Sequence, residues 1–205
     1  MSYFVEACCP SLDSVRHAVE AGARRIELCE RLEIGGVTPS RALIRAALKV
    51  AALIPVNVLI RPREGDFVYS EEETRQMLDG IGLCKELGVN GVVIGALKAD
   101  GSVDKETTAR LIAAARPLSV TFHRAIDEAA DIFAALEDII ALGADRILTS
   151  GGQPTAYEGR FILRDLIARS AGRIIIMPGC GVRPGNIDEI ASVTGAAEFH
   201  GSGIL

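Results

Sequence analysis

Eight short apolar runs, rich in Val, Ile, Leu and Phe, recur along the chain, and stretches of helical spacing lie between them. The runs fall at Phe4 to Cys9, Arg25 to Glu30, Val56 to Arg61, Gly91 to Leu97, Ser119 to Arg124, Arg146 to Ser150, Arg173 to Met177 and Glu198 to Gly201. Strands spaced this way pair in parallel, because a parallel neighbour is reached only through a crossover of about a dozen residues or more. Helix signals agree with seven connecting helices. Ser11 and Ser70 stand at N-cap positions, the second ahead of Glu71 to Glu73, and Gly22, Gly88 and Gly143 stand where helices end.

An internal period narrows the topology. A helix-ending Gly plus a small residue leads into the even-numbered strands at Gly22-Ala23, Gly88-Val89, Gly143-Ala144 and Gly195-Ala196, whereas strands three and five follow Pro55 and Pro117. A strand-helix-strand-helix unit used four times makes an eight-stranded barrel. An open doubly wound sheet would be marked by a GxGxxG turn after strand one, where Cys9-Pro10-Ser11 stands instead. The expected fold is therefore one α/β domain over residues 1 to 205, a TIM (β/α)8 barrel lacking its final helix, since Gly203-Ile204-Leu205 follows strand eight directly. That omission predicts uncovered apolar faces on strands one and eight, and with them a homo-oligomer, a dimer.

Composition excludes several partners. A net charge of -5, with basic residues scattered among acidic ones, offers no broad attraction to phosphate backbones. Aromatic residues make up 4% and Trp is missing, which leaves neither a stacking platform for single strands nor an aromatic belt. No apolar run approaches the ~20 residues that cross a bilayer, and the N-terminus lacks a basic-then-apolar leader. Neither nucleic acid nor membrane is expected as a partner, and the expected location is the cytoplasm. Five cysteines, Cys8, Cys9, Cys29, Cys84 and Cys180, form no CxxC pair and read as reduced thiols.

In barrels of this type the reactive groups lie at the carboxyl ends of the strands. Those ends carry Glu6 and Cys8, Glu27 and Cys29, Arg61, Arg63 and Asp66, then His123, Arg124 and Asp127, then Thr149, Ser150 and Gly151, then Gly179 and Gly181, and finally His200 and Ser202. Residues two apart share a strand face, so Glu6 with Cys8 and Glu27 with Cys29 are expected to point inward, and Cys9 outward. Buried carboxylates need partners, for which Arg61, Arg63 and Arg124 are the candidates. Arg124 beside His123 favours a neutral imidazole, fit to act as a base or a metal ligand. The glycines after strands six to eight let backbone amides approach an anion, or else simply make tight turns.

The blocks Glu6-Ala7-Cys8, Arg25-Ile26-Glu27-Leu28-Cys29, Gly35-Gly36-Val37-Thr38-Pro39-Ser40 and Ile60-Arg61-Pro62-Arg63-Glu64-Gly65-Asp66-Phe67 resemble the copper-homeostasis CutC family. Further blocks continue the likeness: Val120-Thr121-Phe122-His123-Arg124-Ala125, Arg146-Ile147-Leu148-Thr149-Ser150-Gly151, Ile176-Met177-Pro178-Gly179-Cys180-Gly181-Val182 and Glu198-Phe199-His200. Glu64, Cys180 and the missing final helix depart from the family pattern. The resemblance implies a cytoplasmic TIM barrel assigned to copper homeostasis that binds copper as Cu(I), through Cys8 and Cys29. Soft thiolates select that ion, and two of them can hold it nearly linearly.

Two chemistries follow. One is a Cu(I) carrier that needs only the thiols. The other is an enzyme, a lyase, isomerase or hydrolase, acting on a small anionic metabolite, phosphorylated or not. There Glu6, Glu27, His123 and Asp127 would form the catalytic set, while Arg61, Arg63, Asp66, Arg124, Thr149, Ser150, Gly151, Gly179, Gly181, His200 and Ser202 would hold the substrate.

Overall fold

In the computed structural model, which describes residues 3–205, strands and helices alternate as the sequence pattern predicts. The strands are β1 (Phe4–Cys9), β2 (Arg25–Leu28), β3 (Val56–Leu59), β4 (Gly91–Ile94), β5 (Ser119–Phe122), β6 (Arg146–Thr149), β7 (Ile175–Pro178) and β8 (Glu198–Gly201). The helices between them are α1 (Leu12–Glu20), α2 (Arg41–Ala51), α3 (Glu71–Leu87), α4 (Lys105–Ala115), α5 (Ile132–Leu142), α6 (Arg160–Ser170) and α7 (Ile187–Thr194). Ladders run in the order β7-β6-β5-β4-β3-β2-β1-β8, every pairing parallel, and β7 lies against β8 to complete a nearly closed barrel. Strands β2 to β6 end earlier than their apolar runs. The residues beyond, Cys29, Arg61, His123 and Ser150 among them, leave the ladder to form the mouth.

Local chemistry explains where the helices begin and end. Ser11 accepts from the Ser14 amide and Ser70 from the Glu73 amide, each in a capping box that satisfies two of the free donors of a helix start. Gly88 and Gly143 close α3 and α5 in the left-handed conformation that glycine adopts without penalty.

Alternation along the strands divides the interior in two. Val5, Ala7 and Cys9 of β1, with Ile26 and Leu28 of β2, face outward into the main apolar layer beneath the helices. Cys8, Cys29, Leu59 and Val93 face inward and form a small apolar cluster of their own inside the barrel. Below that cluster the interior is ionic. Glu6 sits opposite Arg25 on one side and His200 on the other, and the Arg25 guanidinium pairs with Glu6 and, at 2.7 Å, with Glu198, which also pairs with Arg146 at 2.7 Å.

The expected bare faces of β1 and β8 are not present. Val5, Ala7, Cys9 and Phe199 are all buried within the single chain. Tyr3, hydrogen-bonded to Asp188 of α7, lays its ring edge-on to Phe199 at 5.2 Å, and Ile204 folds back to become buried itself. Neighbouring helices and the short tail thus supply the cover that a closing helix would, which removes the surface on which the expectation of a dimer rested.

Glu6 is 0% exposed, and removing its partner groups would strand a charge in the interior. Glu6→Ala is expected to cost about 3–5 kcal/mol in urea unfolding, and replacing Glu6 and Arg25 together by apolar residues of similar volume to cost less than the single change. Equal and additive losses would contradict this reading of the pair.

Candidate functional site at the mouth of the barrel

The carboxyl ends of the strands open into a cavity of about 590 Å³ whose wall includes Cys8, Glu27, Arg61, His123, Arg124 and His200. The expected convergence of groups distant in sequence is therefore present, though individual residues take different places within it.

On the β1–β2 side, Cys8 Sγ lies 3.9 Å from Cys29 Sγ and 3.8 Å from Glu27 Oε1. Parallel register causes this: Cys8 stands opposite Glu27, and Cys29 is the next inward residue of the adjoining strand. Ligand atoms of Cys8, Glu27 and His200 all lie within 4.8 Å of one another, the spacing a metal ion would bridge. Cys9 faces outward, as its alternation predicts.

The carboxylates differ from expectation in their partners. Glu6 and Glu27 meet neither Arg61, Arg63 nor Arg124, because the nearest inward neighbours on β2 and β8 are Arg25 and His200. Glu6 accepts from His200 Nδ1 at 2.8 Å, while His200 Nε2 lies 4.0 Å from Glu27 Oε1. Burial opposes ionisation of Glu6, but the His200 hydrogen bond and the charges of His200 and Arg25 outweigh it and hold the group down at about 2. Glu27 lacks a comparable donor. Burial pushes it up to about 7, and its Oε2 has no hydrogen-bond partner among the described residues. For His200, burial alone would favour the neutral ring, yet the facing Glu27 and Glu6 raise it above its ordinary value.

His123 is buried, with its Nδ1 accepting from the Ala125 amide at 3.1 Å. That bond fixes the tautomer: the proton sits on Nε2, so the ring presents a donor, not the base or metal-ligating nitrogen expected from sequence. Burial first, then the Arg61 charge, and only after these Arg124, hold it down at about 3. A side chain at position 95 would collide with this ring, so Gly95 makes its room.

The arginines split. Arg61 donates to the carbonyls of Ile34, Gly36 and Gly65, drawing the loops after β2 and β3 over the cavity edge. Arg63 binds Glu73, Asp66 and the Val68 carbonyl on the outside of that loop, so neither Arg63 nor exposed Asp66 belongs to the cavity wall. Arg124 pairs with Asp127 at 2.9 Å.

The glycine loop after β6 does cradle an anion, but that anion is the protein's own. Asp127 accepts from Thr149 Oγ1, from the Ser150 amide and hydroxyl, and from the Gly152 amide at 2.9 Å, while the Gly151 amide turns to Thr149 Oγ1. Gly179 packs where any side chain would strike Leu148, whereas Gly181 and Ser202 do line the cavity. Residues that sequence reasoning passed over include Phe67 and Leu32 in the wall and Arg25 beneath it, while Cys180, at the end of strand seven, does line the cavity. Only Arg25 was discoverable from sequence, as the inward residue two before Glu27.

Comparison with known proteins gives these features a context. The CutC family profile matches residues 3–205. The chain belongs to the CutC family. A family protein CutC from Parabacteroides distasonis is 52% identical over 202 residues, 98% of this chain and 83% of that protein. The mouse copper homeostasis protein cutC homolog is 46% identical over 198 residues, 97% of this chain and 72% of that one. The crystal structure of CutC from Streptococcus agalactiae superposes with a TM-score of 0.94 at 33% identity, covering all of both chains.

Glu27 and His200 both hold protons longer in the fold than in the unfolded chain, so the Glu27 share of the stability is present at low pH and is lost as pH rises from about 4.5 through 7, and the His200 share is lost only above the ordinary imidazole range. Glu27→Gln, which mimics the protonated group, is expected to raise the melting temperature at pH 8 by on the order of 5 °C while leaving it nearly unchanged at pH 4.5. Scanning calorimetry showing the same shift at both pH values would contradict the assignment.

Proposed function

We propose that this CutC-family chain binds Cu(I) through the thiolates of Cys8 and Cys29 at the barrel mouth and serves copper homeostasis in the cytoplasm. The single observation that carries this is the 3.9 Å approach of two buried sulfurs from adjoining strands, one of them in the wall of an open cavity. Thiolates are the protein ligands that favour Cu(I) over harder ions. Metal–sulfur bonds of about 2.3 Å would set a linear pair of sulfurs about 4.6 Å apart. The observed gap is shorter, so a bent arrangement completed by a third group suits these residues better than the linear one. Glu27 and His200 stand where that third group would be.

The thiols must lose protons to bind. The hydrogen bond shared with Cys29, burial, and the nearby Glu27 carboxylate push Cys8 well above the usual thiol range, so the site is protonated when empty and copper competes with protons for it. Glu27, in contact with Cys8, is placed to receive the displaced proton. The name of the mouse relative supports the physiological side of the reading.

Titration with Cu(I) against a competing chromogenic chelator tests the assignment. One equivalent is expected to bind, with Cys8→Ser or Cys29→Ser lowering affinity by about a hundredfold or more, Cys84→Ala leaving it unchanged, and affinity falling as pH is lowered. Unaltered affinity in both serine variants would sink the proposal.

A further inference from the structure

Beyond the thiols, at the ends of β3 and β5, the fold leaves two N–H donors without acceptors among the described residues. Arg61 is 6% exposed, and among the described residues its Nη1 and Nη2 donate to backbone carbonyls, with the uncharged Tyr69 hydroxyl also facing it. Among the described residues it takes part in no ion pair, and its Nε has no partner. His123 carries its proton on Nε2, which also has no partner. Phe67 packs against both, its ring 4.9 Å from the His123 ring and 5.0 Å from the Arg61 guanidinium carbon, so a single aromatic side chain covers the two donors.

A buried cation without a counter-charge and two buried donors without acceptors each carry a free-energy cost. One kind of ligand relieves all three, a flat group bearing a single negative charge on two oxygens. We propose that this side of the cavity is a binding site for a small aliphatic carboxylate, with one oxygen on Arg61 Nε–H and the other on His123 Nε2–H.

The Phe67 ring turns aside to admit the carboxylate, and the ligand's hydrocarbon part rests on Leu59 and Leu148, which line the same cavity. The acids in the wall leave this place open. Asp127 is already neutralised by Arg124, Glu128 is exposed at the rim, and Glu27 stands with the thiols. A carboxylate matches the one uncompensated charge of Arg61, whereas a phosphate dianion brings a second that no group here meets. The proposal does not rest on copper, since among the described residues neither donor is hydrogen-bonded to Cys8 or Cys29, although Leu59 packs beside both thiols.

Isovalerate titrated into the copper-free protein, followed by nitrogen-15 NMR of the imidazole groups and by thermal melting, tests it. The expected result is a saturable shift of the His123 Nε2–H resonance and a rise in melting temperature. Isovaleramide and inorganic phosphate should bind about tenfold more weakly or worse. His123→Asn keeps an oxygen to accept from the Ala125 amide but withdraws the donor. It should weaken isovalerate by about tenfold or more while the Cu(I) titration stays as in the parent. Should that variant fail to melt cooperatively, Phe67→Trp, whose larger ring covers both donors, should show the same loss. Absence of saturable binding, equal binding of isovaleramide, a preference for phosphate, or parental affinity in the variant that folds would each overturn the proposal.

Discussion

The Glu6 carboxylate, held between Arg25 on β2 and His200 on β8, is the contact on which the rest of the structure depends. It joins the first and last strands of the barrel to the second, at the seam where the chain's two ends meet. Its effect reaches upward by parity. A one-residue slip of a strand moves every side chain to the opposite face, and here it would drive Glu6 or Arg25 into the apolar layer under the helices. The register that satisfies Glu6 is also the register that turns Cys8 and Cys29 inward, two and four residues further along the same strands. Ionic pairing low in the barrel thereby sets the geometry of the thiols at its mouth.

Charge is handled differently at the two levels. Low in the barrel, Glu6, Arg25, Glu198 and Arg146 satisfy one another in a closed network. At the mouth, Glu27, Arg61 and His123 each retain a buried polar atom without a partner among the described residues. Buried polar groups are ordinarily paired, and the exceptions concentrate where a protein has something to bind. Asp127 illustrates the contrast inside one loop. Its carboxylate fills an amide nest that would otherwise be open to an outside anion, which turns a phosphate-like cradle into a brace for the mouth.

The barrel was legible from the chain because its signals are local: apolar runs of period two, capping serines and helix-ending glycines each act within a few residues. The inward pairing of Cys8 with Glu6 and of Cys29 with Glu27 was legible for the same reason. Partners were not. Glu6 was expected to meet the arginines after β3 and β5, yet those side chains reach into loops, and only the ladder register reveals that Arg25 and His200 lie closer. The His123 tautomer depends on one amide two residues on, and the Asp127 nest on how a loop curls back 23 positions later in the chain, neither of which leaves a periodic trace. The cover over β8 was misjudged because Tyr3 and Ile204, single residues near the termini, do the work of a helix.

X-ray absorption spectroscopy of the protein loaded with one equivalent of Cu(I) tests the central claim most directly, because it counts the sulfurs around the ion without altering any residue. Two sulfur neighbours, with a lighter atom completing the shell, are what the juxtaposition of Cys8 and Cys29 beside Glu27 and His200 predicts. A shell of nitrogen and oxygen alone, or one containing a single sulfur, would contradict it.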